Sequence, residues 1–133
     1  MEKRLVNQYS PLSLAFLGDA VYSELVREKL VTMANMAVGK LHGASVRYVR
    51  AGFQARACEL IADMLTEEER AVMKRGRNAS SSPQSVPKSS NPAEYHKATS
   101  LETLFGYLKL CGENERIALI FDTIWDSRDT LCQ

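Results

Sequence analysis

Asp19 is the only charged residue between Pro11 and Ser23, and Glu102 is the only one between Ala98 and Leu108. Both windows are strongly apolar with helical periodicity, so each acid is expected in the middle of a core helix. Burying an unpaired carboxylate costs on the order of several kcal/mol unless a cation or hydrogen bonds compensate. Neither window supplies a Lys or Arg. Two such acids on core helices can share one cation, and Mg²⁺ suits them because it often takes only one or two protein carboxylates and keeps waters or phosphates in its other positions. Small residues sit beside both acids: Gly18 precedes Asp19, and Gly106 follows Glu102 by one helical turn, which lets a helix or ligand approach closely. Thr99, three residues before Glu102, is placed to orient it or to hold a water. The alternative is that both acids bond to helix ends or to Tyr, Ser and Thr groups and only stabilise the core.

The elements that must carry these acids are helical almost throughout. Ser10-Pro11 reads as a helix start, with a helix to about Val31 whose apolar stripe is Leu14, Leu17, Val21 and Leu25, widened by Phe16 and Ala20. Asn35 is expected to cap a second helix with Val38, Leu41, Ser45 and Tyr48 on one face. The chain is expected to bend near Gly52 and to continue as a third helix bearing Ala57, Leu60, Ile61 and Met64. Thr66 and Glu69 form a capping box for a fourth, with acids at its start and Lys74 and Arg75 at its end. Asn91-Pro92 with Glu94 opens a fifth helix, which Gly112 stops. A last one covers about Asn114 to Ser127, with Ile117, Ile120, Phe121 and Ile124 inward. The fold class is all-α: a helical bundle of one domain spanning 1–133. It is interrupted by a Ser/Pro-rich loop at about 76–91, where hydrophobic residues nearly vanish.

Net charge is +1, but its distribution is uneven. Lys40, Arg47, Arg50 and Arg56 fall in a stretch without an acid, and Lys74, Arg75, Arg77, Lys88 and Lys97 face Glu94 alone. The end of the chain holds Glu113, Glu115, Asp122, Asp126 and Asp129 against Arg116 and Arg128. This is either a basic face opposed to an acidic tail or a normal mixed surface. Cys58, Cys111 and Cys132 form no C-x-x-C pair, so buried or inert thiols in a reducing cytoplasm are expected rather than disulfides or zinc. The longest uncharged run, Leu5 to Gly18, is too short and too polar for a membrane span or a signal peptide core.

Leu14-Ala-Phe-Leu-Gly-Asp-Ala20 resembles the first signature segment of ribonuclease III catalytic domains, and Ser100-Leu-Glu-Thr-Leu-Phe-Gly106 resembles the second. Together with Lys74-Arg-Gly-Arg-Asn-Ala79, in this order and spacing, they are similar to the Mini-ribonuclease III branch, which has the catalytic domain without a double-stranded-RNA-binding domain. The resemblance runs from about Leu5 to Arg116. Ala15 and Thr99 stand where most ribonuclease III members have acids, which leaves a second metal open.

The resemblance implies the ribonuclease III catalytic fold and a homodimeric, Mg²⁺-dependent endoribonuclease (Mn²⁺ substituting). Its implied substrate is double-stranded RNA, and within the branch the precursor of large-subunit (23S) ribosomal RNA, with a ribosomal protein as a further partner. Asp19 and Glu102 are then the catalytic metal-binding carboxylates. Duplex RNA is held by shape and phosphate contacts. Lys74, Arg75 and Arg77 on one side of the loop and Lys97 on the other are the RNA-binding candidates, with the loop as a clasp or, alternatively, a solvated linker. His42 and His96 are not expected as general bases; His96 is either a phosphate contact or a solvated helix-end residue. Tyr22 and Tyr107 are expected in the core. The rivals are a non-catalytic RNA-binding or assembly domain and a purely structural helical dimer.

Overall fold

Two long helices cross at the centre of the molecule, and glycine makes the crossing possible. The computed structural model describes residues 1–80, 86–88 and 91–132. The crossing helices are α2 (Pro11–Met33) and α6 (Pro92–Leu110), which pack more extensively than any other pair. A Cβ on Gly18 would stand 1.6 Å from the Glu102 carbonyl oxygen, and one on Gly106 would stand 1.9 Å from that of Leu14. Backbone therefore rests on backbone at both points, and any side chain would force the helices apart.

That contact decides which side of α2 faces inward. Its buried line is Leu14, Ala15, Gly18, Tyr22, Val26 and Leu30. Leu17, Val21 and Leu25 lie at the margins of the core, and Phe16 is 84% exposed. The expected stripe is thus rotated. Apolar residues occupy both sides of this helix, so periodicity does not choose between them, whereas Gly18 does.

Shorter helices surround the pair: α1 (Lys3–Val6), α3 (Val38–Val49), α4 (Ala51–Ile61), α5 (Glu67–Ala79), α7 (Asn114–Asp126) and α8 (Arg128–Leu131), with a 3₁₀ turn at Ala62–Met64. No strand occurs among the described residues. The all-α class and the six main helices agree with the sequence reading. α1 and α8, one turn each, were not foreseen in it. Tyr22 is the hub of the core. Its ring lies 5.7 Å from both Phe105 and Phe121, its hydroxyl donates to the Tyr48 carbonyl, and Phe121 stacks on Trp125. Tyr107 is also buried, as expected.

The caps follow local chemistry. The Thr66 hydroxyl accepts from Glu69 N (3.1 Å) while the Glu69 carboxylate accepts from Thr66 N (2.9 Å), a complete capping box. Asn91 Oδ1 accepts from Glu94 N at 3.2 Å. Gly112, at φ +74°, ends α6 with Glu113 N bonded to Leu108 O and Gly112 N to Lys109 O.

Several boundaries differ from expectation. Ala37, not Asn35, stands at the start of α3, and Val38 is 82% exposed, because the chain leaves α2 extended through Ala34 and enters α3 one turn later. The bend after α3 falls at Arg50, in extended conformation, and Gly52 is already inside α4. Most relevant to the loop, α5 continues through Gly76 to Ala79. Gly76 is a packing residue: a Cβ there would stand 2.3 Å from Thr103 Oγ1 of α6. The loop expected from 76 therefore begins only at Ser80, and much of it (81–85 and 89–90) lies outside the described residues.

Candidate active site

The α2–α6 crossing brings the two isolated acids together. Asp19, next to Gly18, and Glu102, whose carbonyl Gly18 touches, come from opposite ends of the sequence to lie within hydrogen-bonding reach of each other. They differ in exposure. Glu102 is partly buried, whereas Asp19 sits at the exposed edge of α2, a departure from the expectation that both are buried. The turn of α2 that puts Gly18 inward carries Asp19 to the rim.

Burial and the neighbouring Asp19 carboxyl push the Glu102 carboxyl up to about 8, opposed only by the Gln54 side chain. No Lys or Arg is among the groups acting on it. Glu69 is the internal contrast. It is also buried, but Arg116 grips both its oxygens, Nε to Oε2 at 2.8 Å and Nη2 to Oε1 at 2.7 Å. Burial alone would raise its pKa, yet the Arg116 bonds and the Thr66 backbone outweigh burial and hold it below the usual range. A carboxylate that serves the fold here has its cation built in; Glu102 does not.

Gln54, on α4, was not foreseen from the sequence. It is 2% exposed, its Nε2 donates to the Val49 carbonyl at 2.9 Å, and its Oε1 is buried without a hydrogen-bond partner. A lone uncharged polar residue between Phe53 and Ala55 was the signal available. Thr99, by contrast, spends its hydroxyl on the Tyr95 carbonyl of its own helix (3.0 Å) and is not an orienting group for Glu102.

Two adjacent carboxyl groups, with no cation acting on Glu102, offer oxygen donors of the kind Mg²⁺ takes. Among the described residues no group of three or more His, Cys, Asp or Glu is arranged for a metal. A cation held here would have two protein carboxylates at most and would take its remaining ligands from water or substrate phosphate.

The basic candidates divide. Lys74, Arg77 and Lys97 converge, with Arg70, on the rim of a groove of about 400 Å³ between α4, α5 and α6, whose floor includes Cys58 and Met73. Lys97 also pairs with Glu59 at 2.6 Å. Arg75 lies apart, because adjacent helical positions point about 100° away from one another. Its guanidinium donates to Asn7 Oδ1 (3.1 Å), Asn7 O (3.0 Å) and Tyr9 O (3.3 Å), tying the N-terminal segment to α5. At the loop's edges, buried Ser80 donates through Oγ to the Arg77 carbonyl (2.9 Å), and His96 Nδ1 lies 3.0 Å from Ser80 Oγ. His96 is thus a tie between the ends of α5 and α6 rather than a solvated residue, and His42 is exposed. The three cysteines are free, and burial pushes the Cys58 thiol up to about 11, as befits an inert thiol. No helix among the described residues is long and apolar enough to cross a membrane.

Residues 12–113 match the family model described as Ribonuclease III domain. A protein of Thermoanaerobacter sp. (strain X514) named Mini-ribonuclease 3 is 44% identical over 122 residues, covering 92% of this chain and 84% of that protein. Another of that name, from Symbiobacterium thermophilum, is 42% identical over 125 residues, covering 92% and 95%. A crystal structure of a Fusobacterium nucleatum protein superimposes with a TM-score of 0.81 at 29% identity, over 90% of this chain and 94% of that one.

Proposed function

Because the chain belongs to the ribonuclease III family, in its Mini-ribonuclease III branch, we propose that it is a Mg²⁺-dependent endoribonuclease that hydrolyses double-stranded RNA, with Asp19 and Glu102 as its metal-binding carboxylates. The observation that carries the reading is the convergence of these two acids with no cation among the groups acting on Glu102. A bound divalent cation would offset charge on the scissile phosphate and make water a better nucleophile at neutral pH. The chain's own residues supply the rest. Asp19, at the rim, faces solvent and substrate; Glu102, deeper, is held rigidly by the helix crossing; Gly18 and Gly106 set the spacing between them.

RNA is held by Lys74, Arg77 and Lys97, whose groove offers charge to phosphates without reading bases. Arg75, already committed to Asn7 and Tyr9, supports this surface instead of touching RNA. The protein acts as a homodimer through the outer face of α2, where Leu12 and Phe16 are 43% and 84% exposed in helical register beside Asp19. Its substrate is the precursor of 23S ribosomal RNA, met in the cytoplasm, where a ribosomal protein is the expected accessory partner.

The test is cleavage of a perfect RNA duplex set against the corresponding single strand and DNA duplex, each with Mg²⁺, with Mn²⁺ and with chelator. Cutting confined to duplex RNA and to the metal-containing reactions is expected. Binding of duplex RNA without cutting under every condition would favour a non-catalytic RNA-binding domain, which the missing acids at Ala15 and Thr99 make the one serious rival.

A further inference from the structure

We propose that Gln54 is a positioning residue of the Asp19–Glu102 site, its carboxamide oxygen holding a water against the acid pair. The inference rests on the metal-site reading above. Three observations carry it. Gln54 is 2% exposed, so its polar end has no route to bulk solvent. Its Nε2 is fixed by the Val49 carbonyl at 2.9 Å, which leaves the carboxamide little freedom to rotate. Its Oε1 is buried with no donor, on a carboxamide whose N–H end reaches toward Glu102.

Buried side-chain acceptors almost always have a partner, and those lacking one in a native fold mark an ordered water, an ion or a functional role. No donor among the described residues reaches it. A water between Gln54 and the acids satisfies Oε1 with one hydrogen and offers its oxygen toward the place where a cation sits between the carboxyls. Gln54 thereby substitutes a neutral acceptor for the additional carboxylates that the site lacks. Groups of this kind, one bond removed from an ion, tune its affinity by about 10- to 100-fold.

The experiment is Mn²⁺ titration, read by the electron paramagnetic resonance of the free ion, on full-length protein without RNA. It compares the parent with Gln54→Met, Gln54→Glu, Asp19→Asn and Glu102→Gln, with a melting curve for each in chelator. Gln54→Met keeps volume and removes the acceptor together with the donor to the Val49 carbonyl; at least a 10-fold loss of Mn²⁺ affinity is expected, with a modest fall in the metal-free melting temperature from the lost Val49 bond. Gln54→Glu keeps an acceptor oxygen, so Mn²⁺ affinity at or above the parent's is expected. A folded Gln54→Met with parental affinity overturns the proposal. If Gln54→Met does not fold, Gln54→Glu decides, and a 10-fold loss there overturns it. Parental Mn²⁺ affinity in Asp19→Asn and Glu102→Gln would instead remove the metal-site reading itself, an outcome distinct from failure at Gln54 alone.

Discussion

Replacing Glu102 by Gln in metal-free protein removes a charge that the fold resists and leaves nearly the same volume. In the folded chain this carboxyl titrates at about 8, against 4.5 for its ordinary value, because of burial and the adjacent Asp19. A raised carboxyl pKa means that the folded state binds the proton more tightly than the unfolded state does. Stability from this group is therefore full below about pH 4.5 and declines as pH rises toward 8. At pH 7.5 the folded carboxyl still holds a proton roughly 3 pH units above the ordinary range, worth at most ~4 kcal/mol at about 1.4 kcal/mol per unit. Partial exposure and local relaxation reduce this, and about 2 kcal/mol is the figure to test. For a domain of this size that corresponds to a rise in melting temperature of roughly 5–10 °C. The assay is thermal unfolding by circular dichroism in chelator from pH 4 to 8.5. Glu102→Gln should match the parent at pH 4 and exceed it progressively above pH 5, with a flatter profile throughout. A variant that melts with the parent at pH 8, along the same slope, would refute the reasoning that the acid pair is uncompensated.

Four further outcomes follow from particular residues. Gly18→Ala, whose Cβ would stand 1.6 Å from the Glu102 carbonyl oxygen, should destabilise the fold by ~3 kcal/mol or more in denaturant unfolding, with Gly39→Ala, which meets nothing within 4 Å, as the control. The Lys74→Ala, Arg77→Ala double variant should bind duplex RNA more weakly, with a shallower dependence on salt by roughly one to two counterions in a filter-binding titration. Arg75→Ala should instead lower the melting temperature through loss of its Asn7 and Tyr9 bonds and leave the salt slope unchanged. Phe16→Asp should shift the protein to a monomer in sedimentation equilibrium without unfolding it, since that side chain is 84% exposed in the single chain.

Much of this was legible in the sequence wherever one local interaction decides the outcome. The Thr66–Glu69 box, the Asn91-Pro92 start and the Gly112 stop are set by neighbours along the chain, and the structure contains each. The acid pair was legible for a different reason: a lone carboxylate in an apolar window is conspicuous without knowledge of its partner. Features that depend on which surfaces meet were not legible. Phe16 and Leu14 are equally apolar, and only the Gly18 contact with α6 sends one outward and the other in. Lys74, Arg75 and Arg77 read as one basic cluster, but helical rotation and the position of Asn7 separate Arg75 from the rest. Gln54 carries no charge and no motif, and its significance comes only from the Glu102 side chain reaching it across α4 and α6.

The acid pair is tested most directly by what it does to RNA. Single-turnover cleavage of duplex RNA at saturating Mg²⁺, measured for the parent, Asp19→Asn and Glu102→Gln after each variant is shown to be folded and to bind the duplex, isolates that contribution from substrate affinity. A fall of at least ~100-fold in the cleavage rate with duplex binding retained is the predicted result for both variants. Cleavage by either one within a few-fold of the parent would contradict the assignment of Asp19 and Glu102 as the metal-binding carboxylates.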